Sequence, residues 1–65
     1  MDNIKKLYDE IFTDNGDIKS CGREKCKELI ALLETTYPNI DFGNKNTGFM
    51  NVKNIKEIIN TILSN

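Results

Sequence analysis

The chain has no histidine, no tryptophan, a single proline and no apolar run longer than the five residues Leu29-Ile30-Ala31-Leu32-Leu33. Without histidine it lacks the side chain that exchanges protons near neutral pH and the commonest metal ligand, so no histidine-based triad can be built. Five apolar residues fall far short of the ~20 that span a bilayer. The polar start Met1-Asp2-Asn3-Ile4-Lys5-Lys6 holds none of the ~7–15-residue apolar stretch of a secretory leader. The expectation is a cytoplasmic protein without a membrane segment. Charge of one sign is also lacking: ten acidic residues against nine basic ones give −1. No global field draws such a chain to a phosphate backbone or an anionic membrane, and any such contact needs a local patch.

What is present is enough for one domain, residues 1–65. A chain this short buries only about 60% of its unfolded surface, and one small core contributes no more than ~3–5 kcal/mol. Each large apolar side chain is therefore read as core before it is read as function.

Three segments carry helical spacing. Ile4, Leu7, Tyr8, Ile11 and Phe12 form one stripe and predict a helix over 3–12, with Asp2 or Asn3 as cap and Thr13-Asp14-Asn15-Gly16-Asp17 as the turn that ends it. Cys26, Leu29, Ile30 and Leu33 predict a second over 21–35, starting at Ser20 or Gly22 and weakened at its end by Thr35-Thr36 and Pro38. Val52, Ile55, Ile58, Ile59, Ile62 and Leu63 predict a third over 52–63, capped by Asn51. Between the last two, Ile40 and Phe42 alternate with polar residues and Phe49 follows a polar turn. Either a short β-hairpin or an irregular loop pinning its aromatics fits, the loop being favoured. The fold class is thus all-α, or α with a minimal hairpin: three helices around one core. That core is expected to take Ile4, Leu7, Tyr8, Ile11, Ile18, Cys26, Leu29, Ile30, Leu33, Phe42, Phe49, Ile55, Ile58, Ile59 and Ile62.

The motifs carry little chemistry. Cys21 and Cys26 are separated by four residues, not the two of a redox pair, and with no histidine they cannot complete a zinc site alone. Packing is the first reading for both; a reactive thiol at Cys21 beside Arg23 is the alternative. Asp14-Asn15-Gly16-Asp17 fails as a calcium loop, because position 3 is Gly16 and position 12 is Lys25. Gly43 and Gly48 have phosphate-loop spacing, but Phe49-Met50 stand where lysine and a hydroxyl are needed. Nothing pairs a nucleophile with a base, so the chain is expected to be no enzyme and to need no cofactor or metal.

The surface offers more. Lys19, Arg23, Lys25 and Lys27 with Glu24 give residues 19–27 a local charge of +3, after the acidic Asp9, Glu10, Asp14 and Asp17. Arg23 and Lys27 are like charges at i,i+4, which costs a few tenths of a kcal/mol. Such segregation implies counter-charge from a partner or from elsewhere in the fold. Leu32, off the helix stripe, lies either under the 42–49 loop or against a partner. The candidate contact residues are therefore Lys19, Arg23, Lys25, Lys27, Leu32, Asn44, Lys45 and Asn46. The leading functional expectation is a small regulator that binds another protein, as monomer or homodimer. Nucleic-acid binding through the same basic residues and a thiol-dependent redox or metal role are the alternatives.

Overall fold

The three stripes become three helices. In the computed structural model, which describes residues 2–19 and 23–64, α1 spans Asp2–Ile11, α2 Arg23–Thr36 and α3 Val52–Ser64. Between α2 and α3, β1 (Gly43–Asn44) pairs antiparallel with β2 (Phe49–Met50), so the hairpin forms and not the favoured irregular loop. It begins later than the Ile40–Phe42 alternation suggested. The expected helix start at residue 21, the caps Ser20 and Gly22, and Cys21 lie outside the described residues. Among the described residues, no helix is long and apolar enough to cross a membrane.

α1 buries Ile4, Leu7 and Ile11 along one face, while Lys5 Nζ donates to Asp9 Oδ1 at 2.6 Å on another. The helix starts one residue earlier than expected, which puts Asp2 and Asn3 inside its first turn. After it, Phe12 pairs with Ile18 in an isolated antiparallel bridge. Three hydrogen bonds close the turn between them: Thr13 N–H to the Asp17 carbonyl (2.7 Å), Gly16 N–H to the Thr13 carbonyl (2.9 Å) and Asp17 N–H to Thr13 Oγ1 (3.1 Å). Phe12 stacks on Tyr8 with ring centroids 4.5 Å apart and is buried, a core position the expected list omitted. Ile18, expected in the core, is 54% exposed. The bridge holds it by its backbone, and of the two bridged residues Phe12 is the buried one.

α2 buries Cys26, Leu29, Ile30 and Leu33. It runs to Thr36, one residue further than predicted, because the Tyr37 N–H still donates to the Leu33 carbonyl at 2.8 Å; the Thr35 and Thr36 hydroxyls turn back on the Ala31 and Leu32 carbonyls at 2.9 and 3.0 Å. α1 and α2 are antiparallel: Lys25 lies 3.7 Å from Glu10 at one end, and Asn3 shares their groove with Leu32 at the other. Asn51 caps α3 as predicted, with Oδ1 accepting the Asn54 N–H at 3.3 Å and its carbonyl accepting the Ile55 N–H at 3.0 Å. Ile55 and Ile59 are buried, while Ile58 and Ile62 pack against the core only in part.

Phe42 joins this core at 1% exposure, its ring tilted against Tyr37, whereas Phe49, expected beside it, is 67% exposed. In a regular hairpin of this register, Phe42, Asn44 and Phe49 would share one face. Gly43 breaks that parity with φ of +118°, so Phe42 turns inward and Phe49 outward. A Cβ at Gly43 would collide with the Phe49 carbonyl oxygen and lie 2.8 Å from Met50 Cα.

Gly43→Ala is therefore expected to lower stability by about 1–3 kcal/mol or more through backbone strain alone. Asn51→Ala should lower it by about 1 kcal/mol through loss of the cap. Urea unfolding followed by circular dichroism reads both, and an unchanged midpoint for Gly43→Ala would contradict the hairpin geometry.

Candidate protein-binding surface

The hairpin tip is a four-residue turn, Lys45-Asn46-Thr47-Gly48, organised by Asn44. Its side-chain oxygen accepts the N–H groups of Asn46 (2.8 Å) and Thr47 (3.3 Å), and its carbonyl accepts the Gly48 N–H at 2.8 Å. Thr47 Oγ1 in turn accepts the Phe49 N–H at 3.3 Å. The base of the hairpin is tied twice. Asp41 Oδ1 accepts the Gly43 N–H at 3.0 Å, and Asn54 Nδ2 donates across to the Asp41 carbonyl at 2.8 Å. Backbone donors and acceptors on both strands are thus met by short side chains, which hold the tip in one shape.

That tip rests on the first turns of α2. Gly48, with φ of +85°, approaches so closely that a Cβ there would lie 3.3 Å from both Arg23 Cβ and the Arg23 carbonyl, and 3.6 Å from Lys27 Cγ. The Arg23 guanidinium carbon then sits 5.4 Å from the centroid of the Phe49 ring. One local structure thus brings together an exposed aromatic ring, a guanidinium beside it, the Lys27 stem, and Lys45 and Asn46 in the turn above.

Magnitudes show why this ring is not a stability device. Leaving a phenylalanine out of the core forgoes about 1.5–3 kcal/mol. An exposed cation–π contact returns about 0.5–1 kcal/mol. In a domain with a core worth ~3–5 kcal/mol, that deficit is large. An aromatic paired with arginine on a rigid support is the composition at which binding energy concentrates in protein interfaces.

The other sequence-predicted residues fall elsewhere. Lys19 and Lys25 point to α1: Lys19 Nζ donates to the Asp9 carbonyl at 2.8 Å, and Lys25 pairs with Glu10 at 3.7 Å. The fold itself supplies counter-charge to Lys25 through Glu10 and a neutral backbone acceptor to Lys19, so the run of positive charge does not form one face. Lys27 stays on the hairpin side and reaches Glu24 at 3.4 Å. Leu32 does not lie under the hairpin; it is half-buried and borders the groove of about 400 Å³ between α1 and α2. Asn44 is occupied in closing the turn. Phe49, the centre of the surface, was read from sequence as core.

Cys26 is buried among the helices, and Cys21 lies outside the described residues. Among the described residues no polar or charged side chain is buried, and no three acidic or thiol groups cluster to hold a metal. A second groove of about 370 Å³ runs between α1 and α3, with Tyr8, Lys56 and the exposed Leu63 along it. Compared with protein-family models, curated proteins and solved structures, the chain matches none.

Phe49→Ala should shift the unfolding free energy by less than about 1 kcal/mol, as expected of an exposed site. Phe42→Ala should cost about 3–5 kcal/mol and leave little folded protein. Parallel denaturation of the two variants decides the matter, and comparable losses would return Phe49 to the core.

Proposed function

We propose that this chain is a small non-catalytic module that binds another protein through its hairpin tip. The observation that carries the reading is the 67% exposure of Phe49 on a turn held by Asn44 and Gly48, with Arg23 against its ring. A ring so placed weakens the isolated domain and gains its full burial only under a partner. The pre-ordered turn reduces the entropy lost on docking. The reading carries with it a cytoplasmic setting, where thiols stay reduced, and a protein acting as monomer or homodimer that regulates what it binds.

Affinity capture from the source cells, with tagged wild type and Phe49→Ser run side by side, tests this. A protein identified by mass spectrometry should be retained by the wild type and lost from the variant, with circular dichroism showing both folded. Recovery unaffected by Phe49→Ser, or no protein above background, would refute the proposal.

A further inference from the structure

Resting on that reading, we propose the chemistry of the partner: a short acidic segment of a protein chain. Its carboxylates meet Arg23, Lys27 and Lys45, and an adjacent apolar side chain covers Phe49.

The charge around the ring is unbalanced. Arg23, Lys27 and Lys45 sum to +3, and the Glu24 carboxylate paired with Lys27 reduces that to +2. Among the described residues, no carboxylate lies within ion-pair distance of Arg23 or Lys45. Lys27 does contact Glu24, but Glu24 is 89% exposed and such a surface pair is worth little. It yields readily to an incoming carboxylate. Of the acids elsewhere, Glu10 meets Lys25, Asp9 meets Lys5, and Asp41 Oδ1 accepts the Gly43 N–H. Arg23 beside an aromatic face keeps in-plane N–H donors for a bidentate carboxylate, a geometry lysine cannot reproduce. Asn46, exposed in the turn, adds donor and acceptor groups suited to a peptide backbone.

A nucleic-acid strand presents the same kind of negative charge but needs more surface. It requires a basic groove that tracks its backbone. Here Lys19 and Lys25 are turned to α1 and engaged there, which leaves Arg23 at the ring, Lys27 beside Gly48 and Lys45 in the turn. The size of the cationic patch therefore favours the peptide.

The test uses the whole chain, ¹⁵N-labelled, titrated with the peptide acetyl-Glu-Glu-Leu-Glu-Glu-amide. Its glutamine counterpart and a short oligothymidylate are the comparison probes. Amide shifts should centre on residues 23, 27 and 45–49 and vanish with the glutamine peptide. Arg23→Gln should weaken binding about tenfold, and Arg23→Lys should restore only part of it. Phe49→Ala should weaken the Leu-containing peptide but not its Gly-substituted form. Shifts centred on Lys5, Lys6 or Lys53, no shift at all, or stronger response to oligothymidylate would overturn the assignment. If the acidic peptide fails while Phe49-dependent capture succeeds, the binding module stands and the acidic partner falls. If both fail, neither stands.

Discussion

The stripe of Cys26, Leu29, Ile30 and Leu33 on α2 is the constraint from which the rest of the domain follows. Its three aliphatic members have no exposed surface, and in so short a chain they must be covered from two directions. α1 covers one flank with Leu7 and Ile11, and the hairpin covers the other with Phe42 and Met50 packed toward the core. A two-stranded hairpin is marginal by itself; here it persists because α2 and α3 give it a floor. Its tip must then lie where α2 begins, beside Arg23 and Lys27. The candidate surface is thus a consequence of core packing.

Asparagine does much of the polar work. Asn44 closes the hairpin turn, Asn51 caps α3, and Asn54 holds the hairpin base to α3 through the Asp41 carbonyl. Each is short enough to reach nearby backbone groups at small entropic cost. In a domain with few apolar contacts to spend on its loops, such local bonds supply order that burial cannot. They also explain why an exposed ring can be held in a fixed place: the backbone under Phe49 is bonded on both sides of the turn.

Charge on α2 is sorted by geometry. Lys25 shares the α1 side with Leu32, and Glu10 meets it there; Arg23 and Lys27 share the hairpin side, where Glu24 pairs with Lys27. The run of basic residues therefore has two meanings. One half completes the contact between helices, and the other half is left facing outward around an aromatic ring.

The helical stripes, the Asn51 cap, the turn after α1 and the glycines of the hairpin could be read from the chain, because each depends on spacing or on a residue's own backbone preference. Arg23, Lys27, Lys45 and Asn46 were legible as surface candidates for the same reason. Phe49 was not. Alternation from Phe42 puts it in the core, and only the left-handed conformation of Gly43, required where β2 passes against β1, reverses its face. Nor could the chain alone show which cations Glu10 and the Asp9 carbonyl engage, since those pairs join residues 15 and 10 positions apart. Periodicity reports how a segment is patterned. Which side of it meets water is decided when distant segments close on one another.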